Sequence, residues 1–188
     1  MADEDEDLPD YDDGRNTGEW NSRYQGRAWF QIIVEFLLLI LYLMTASYFL
    51  IEAVIEKPEE NTREGFIYSS LFGVHVAEDK AKWVALALAG FVGGTVFDLK
   101  WMYHSVAKGI WNVDRCLWRI IVPLNSAMVS LFTGFLLTSG VIPFLRNESF
   151  DDYYVLLGFG FVFGYFSDNI LAALQNLAKN VFGTLDKS

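Results

Sequence analysis

Within the apolar stretches of this 188-residue sequence, a small set of side chains has the chemistry to do more than pack: Glu35, Asp98, Asn125, Asp168, Arg115 and Arg119. Each lies inside a long apolar run or at its edge. An ionised group at the centre of a membrane-spanning helix costs about 2.5–3.5 kcal/mol, so such residues are retained for a reason. Either they pair and lock a helix bundle, or they line an acidic vestibule that takes cations or protons. Residue type and spacing leave both open, and the paired network is the expectation.

Other chemistry has little to work with. Cys116 is the only cysteine, which excludes an intrachain disulfide and a cysteine metal site. His75 and His104 fall in loops expected on opposite sides of the membrane, so they form no two-histidine metal site. There is no phosphate-binding loop, dinucleotide fingerprint or nucleophile motif. No catalytic residue, cofactor or metal is expected, and the chain is read as non-enzymatic.

The elements that must position these residues follow from hydropathy. Hydrophobic residues make up 53% of the chain and are gathered into runs, the mark of segments that meet lipid. A helix needs about 20 apolar residues to cross roughly 30 Å of hydrocarbon. The runs predict an all-α membrane protein, a bundle of four transmembrane helices at about 28–51, 83–99, 118–142 and 153–174. Trp83 and Trp101 give the second span an aromatic belt, and Pro123 falls in the first turns of the third, where a missing amide donor is best tolerated. The fourth is interrupted by Ser167, Asp168 and Asn169, after which Ile170, Leu171 and Leu174 recur at helical spacing. One long helix that crosses and continues as an amphipathic extension is expected; the alternative is a span that ends near Ser167, followed by an interfacial helix.

Small residues one turn apart mark the second span (Ala81, Ala85, Ala89 and Gly93, with Gly90 and Gly94), the third (Ser126, Ser130, Gly134 and Thr138) and the fourth (Gly160 and Gly164). In lipid such stripes let helix backbones approach closely, which implies tight packing within the chain or a self-association face. Between the second and third spans, Trp101, Met102, Tyr103, Val106, Ile110 and Trp111 predict a linker lying on the membrane surface. The stretch from Phe66 to Val76 is too short to cross, and Asn147-Glu148-Ser149 is a glycosylation sequon.

The net charge of −10 is concentrated at the N-terminus, where residues 1–19 carry nine acids against Arg15 alone. Residues 1–26 are read as a disordered acidic tail, 27–183 as the membrane domain and 184–188 as a short tail. The acidic tail either binds a basic partner or reflects the acidic protein surfaces of a salt-loving cell, the latter being favoured. Nine lysines and arginines on one side of the spans against five on the other place both termini in the cytoplasm, in a multi-pass protein of the cell membrane.

Three stretches together resemble a group of uncharacterised prokaryotic four-span membrane proteins. They are the glycine-rich second span (Gly90, Gly93, Gly94), the start of the third (Asp114-Arg115-Cys116-Leu117-Trp118-Arg119, then Pro123-Leu124), and Phe166-Ser167-Asp168 leading to Val181-Phe182-Gly183. The resemblance covers about residues 88–183 and implies four spans and a prokaryotic source, with no activity attached.

The function expected is a non-enzymatic membrane subunit or anchor that docks a partner through its cytoplasmic linker and C-terminal helix. The alternative is a self-assembling pore or a small cation or proton transporter. The expected partners are the lipid bilayer and either further copies of the chain or another membrane or cytoplasmic protein; no nucleic acid is expected. The orientation has a direct test. With single cysteines placed at Lys108 or Arg146 in a Cys116→Ser background, an impermeant thiol reagent on intact cells should label position 146 and spare position 108; the reverse pattern would invert the topology.

Overall fold

The computed structural model describes residues 22–55, 78–139 and 152–183. Most of the acidic tail, the Phe66 to Val76 stretch, His75, the sequon, the end of the third expected span (140–142) and the tail from 184 lie outside the described residues. All regular structure within them is helical: α1 (Gly26–Ile55), α2 (Glu78–Ala107), a 3-10 turn (Val113–Arg115), α3 (Cys116–Thr138), α4 (Tyr153–Tyr165) and α5 (Ser167–Phe182). Three segments, Gly26–Ile51, Lys80–Ala107 and Val113–Thr138, are long and apolar enough to cross a membrane. The number rises to four if α4 and the start of α5, bent by 82° at their junction, count as one broken span.

The chain departs from the sequence expectation in three places. First, α2 does not stop at residue 99 but runs to Ala107, so Trp101, Met102, Tyr103 and Val106 are helical and His104 is no loop residue. The helix ends at Gly109, whose φ of 72° suits a residue without a Cβ. There the Gly109 amide bonds the Val106 carbonyl and the Ile110 amide bonds the Ser105 carbonyl, the paired bonds of a Schellman cap. The chain after the cap folds inward, and Trp111 is buried with Ile32, Leu39 and Met102 instead of lying on the membrane surface.

Second, α3 begins at Cys116, which puts Pro123 inside the helix and not at its first turns. In a regular helix that proline leaves the Arg119 carbonyl without its usual donor. Third, the expected long helix from 153 to 174 breaks at Phe166, whose φ of −103° and ψ of 26° leave the helical range. Ser167, Asp168 and Asn169 follow the break, residue types whose short polar side chains compete with helical backbone bonding. The Ser167 hydroxyl is drawn inward to Ser126 Oγ at 3.0 Å, across to α3.

Helix α2 is the centre of the assembly and packs against α1, α3 and α4. The small-residue stripes face these contacts. A Cβ added at Gly90 would meet Ser130 Cβ and lie 2.8 Å from its Oγ; at Gly160 it would come within 2.7 Å of the Leu86 carbonyl oxygen. At Gly164 it would collide with the Gly90 backbone, with Gly90 Cα only 2.6 Å away. The Ser130 hydroxyl lies in the same layer, 3.2 Å from the Leu86 carbonyl of α2 and 3.3 Å from the Gly160 carbonyl of α4, and so joins three helices. At one end this contact is filled in by Ala85, Leu86, Leu137 and Leu156.

Backbone atoms have nowhere to retreat, so Gly164→Ala should destabilise the fold by about 1–3 kcal/mol, the usual cost of overpacking. Gly158, six residues earlier on α4, has nothing within 4 Å of an added Cβ. Gly158→Ala should therefore be neutral or stabilising, because glycine inside a helix is about 1 kcal/mol less favourable than alanine. Thermal unfolding of the two variants in one detergent checks the contrast; equal melting temperatures would show that the α2–α4 contact is not close.

Candidate functional site

The polar centre of the molecule is built by two stripes with alternating three- and four-residue spacing. On α1 the stripe is Ile32, Glu35, Leu39, Tyr42 and Ala46, all buried but the half-buried Tyr42. On α3 it is Arg119, Pro123, Ser126, Ser130, Thr133 and Leu137, all buried. Residues at this spacing share one helix face and turn it toward a neighbouring helix. Each stripe carries one ionisable residue near the same end, and the fold brings the two together.

Arg119 Nε lies 2.7 Å from Glu35 Oε2, and the two side chains are 2% and 5% exposed. Glu35 is held from two further directions. Gln31, one turn earlier on α1, donates to Oε1 at 3.0 Å, and Trp111 Nε1 donates to Oε2 at 3.3 Å. Arg119 Nη2 donates to the Asn112 carbonyl at 3.0 Å, and the guanidinium stands over the Trp111 ring, 5.3 Å from its centroid. Trp111 is fixed in turn, because its amide donates to the Tyr24 hydroxyl at 3.0 Å, and that hydroxyl donates to the Ser105 carbonyl at 3.3 Å. The ion pair therefore ties α1, the turn after α2 and α3 together.

Asp98 completes the centre. It is wholly buried on α2, within electrostatic reach of both Arg119 and Glu35. Among the described residues neither of its oxygens has a hydrogen-bond partner, Arg119 Nη1 has none, and Arg119 Nε meets Glu35 as a charge contact outside hydrogen-bond geometry. One guanidinium thus stands opposite two carboxyl groups, only one of which it grips directly. The described residues contain no group of three or more histidine, cysteine or acidic side chains that could hold a metal ion.

The expected polar cluster divides in two. Glu35, Asp98 and Arg119 meet in the interior. Asn125, Asp168 and Arg115 are exposed and stand apart from it, along a groove on the outside of the bundle. Asp168 is turned outward because the break at Phe166 buries its neighbour Ser167. Gln31, Tyr24, Trp111 and Asn112 are absent from the set read off the sequence. Gln31 had a legible signal, its place one turn from Glu35 on the same helix. The other three are joined only by tertiary folding.

Fold and site together define an all-helical protein with several helices long and apolar enough to span a membrane, organised around a buried carboxyl–guanidinium centre. No family model matches the chain, and no curated protein or solved structure matches it either.

Removing one partner of a buried ion pair strands the other, at a typical cost of 3–5 kcal/mol. Glu35→Gln should lower stability on that scale, and Arg119→Met should cost more, since it deprives Asp98 as well as Glu35 of the cation that faces both among the described residues. The double variant should lose less than the two single losses combined, by a coupling of about 1–3 kcal/mol. Unfolding free energies of the three variants, measured in one detergent, check this; strict additivity would show that the two side chains do not depend on each other.

Proposed function

We propose that this protein is a non-enzymatic membrane anchor or subunit, a four-span bundle with both termini in the cytoplasm that holds a partner at the inner membrane surface. In this reading α4 and the first turn of α5 form the fourth, broken span. The observation that carries it is α5 itself. It leaves α4 at 82°, so that a span near the membrane normal turns it along the surface. Leu171 is exposed, as are Gln175, Asn176 and Lys179, and among the described elements α5 packs chiefly on α3 and on its own predecessor. A helix with one apolar and one polar face lies at a lipid surface with its polar face outward, available to a soluble partner. The interior supports the same reading, since Glu35 and Arg119 are engaged with each other and with neighbouring groups, and the helices close on one another through glycine contacts.

One observation favours a second reading, a pore or a small cation or proton transporter. Asp98 is a buried acid with no hydrogen-bond partner among the described residues, and intramembrane acids of that kind mark ion and proton paths. The two readings part in a single set of measurements. For the anchor, light scattering on protein purified from its native membrane should give the mass of a hetero-complex. A chain ended after Ile170, which keeps the Ser167 anchor and the first turn of α5, should release the partner and keep the melting temperature of the bundle. Vesicles holding the protein should pass protons and cations no faster than empty ones. A symmetric oligomer whose cation flux changes in a stably folded Glu35→Gln or Asp98→Asn variant would replace the anchor with the pore.

A further inference from the structure

Outside the bundle, a groove runs where the C-terminal end of α2, the turn into α3 and the start of α5 come together. Its wider part, a cavity of about 490 Å³, is lined by Phe97, Trp101, Asp114, Arg115, Trp118 and Asp168. That is within the roughly 300–1,000 Å³ usual for small-molecule sites. A second part of about 340 Å³ shares Asp114, Trp118 and Asp168 and continues beside Leu117, Ile121 and Val122, with Asn125 and Ser167 as its polar members. Leu124, Met128 and Phe132, further along the same helix, are exposed. The groove therefore passes from a charged end at the helix termini to a mainly apolar wall along α3.

The charged end has an unusual make-up. Asp114, Arg115 and Asp168 are all exposed, and among the described residues none of them forms a salt bridge. One guanidinium and two carboxylates thus face the same space without neutralising one another. Trp101 and Trp118 are partly exposed beside them, and indole rings both settle at membrane–water interfaces and attract alkylammonium groups through their faces. Nothing in the buried Glu35–Arg119 centre requires this arrangement.

We propose that the groove binds one zwitterionic phospholipid. Arg115 takes the phosphate, Asp114 and Asp168 take the ammonium group with Trp101 and Trp118 at its sides, and the acyl chains run along Ile121 and Val122. Charge complementarity selects the headgroup. An anionic lipid would satisfy Arg115 and leave two carboxylates facing its phosphate, whereas a zwitterion answers both signs. A guanidinium meets phosphate oxygens through paired donors, and carboxylates accept from an ammonium, so each contact is a charge-assisted hydrogen bond. The break at Phe166 is what makes the site, because a straight helix would not set Asp168 beside the turn into α3.

The test uses the full chain in detergent micelles, titrated with dioleoylphosphatidylethanolamine or dioleoylphosphatidylglycerol, with bound lipid counted by native mass spectrometry. The ethanolamine lipid should bind at the lower concentration. Asp168→Asn and Arg115→Gln should each weaken it about tenfold, the scale of one charge-assisted contact. Both positions are exposed, so both variants should keep the parent melting temperature. Trp118→Phe, which keeps an aromatic face, should bind more tightly than Trp118→Ala. Equal or tighter binding of the glycerol lipid would overturn the proposal, as would unchanged affinity in both charge variants. Soluble phosphoethanolamine that displaced the lipid at matched concentration would overturn the lipid as occupant.

Discussion

The close approach of α4 to α2 is the contact on which the rest of the structure depends. Gly164 rests on the backbone of Gly90, and Gly160 on the Leu86 carbonyl and Ala89. In lipid there is no hydrophobic gain from bringing two apolar helices together, so packing itself must supply the attraction. Small residues supply it by letting backbones meet at distances where dispersion is strong. Ser130 uses the same closeness, since only helices this near bring the Leu86 and Gly160 carbonyls to one hydroxyl. A bulkier residue in that layer would part the helices and unmake both effects.

With α2, α3 and α4 fixed in this way, α1 is held differently. It packs mainly on α2 through an ordinary apolar stripe, and most of its large side chains, Phe30, Leu37, Leu41 and Met44 among them, face outward. What specifies its place is Glu35, gripped by Arg119 of α3 and by Trp111 in the turn that precedes it. A buried ion pair gives weak net stability because both charges are desolvated, but it penalises every arrangement that separates them. The pair therefore sets the register of α1 more than it adds to the depth of the energy minimum.

The same constraint shapes the outside of the molecule. Gly160 and Gly164 fix how α4 lies on α2, and Ser167 is drawn to Ser126 on α3, so α5 must leave at a steep angle. That exit places Asp168 beside Asp114 and Arg115 and leaves much of an amphipathic helix exposed among the described residues. Both external features proposed to carry function, the surface helix and the headgroup groove, are consequences of internal packing.

The membrane character of the chain, its apolar segments and its small-residue stripes are legible without a structure, because burial in lipid and close helix contact both act on local composition at helical period. Glu35, Asp98 and Arg119 were legible as costly intramembrane groups for the same reason. Which of them meet emerges only on packing, since that depends on the rotation of each helix about its axis, and composition is blind to rotation. Packing separated Asp168, Asn125 and Arg115 from the interior and recruited Trp111 from a stretch that reads as a surface linker. It also turned one expected long helix into two, because the anchoring of Ser167 against α3 is a contact 41 residues away in the chain, beyond any local pattern. Hydropathy measures what a segment can be buried in; only packing against particular neighbours decides what it is buried against.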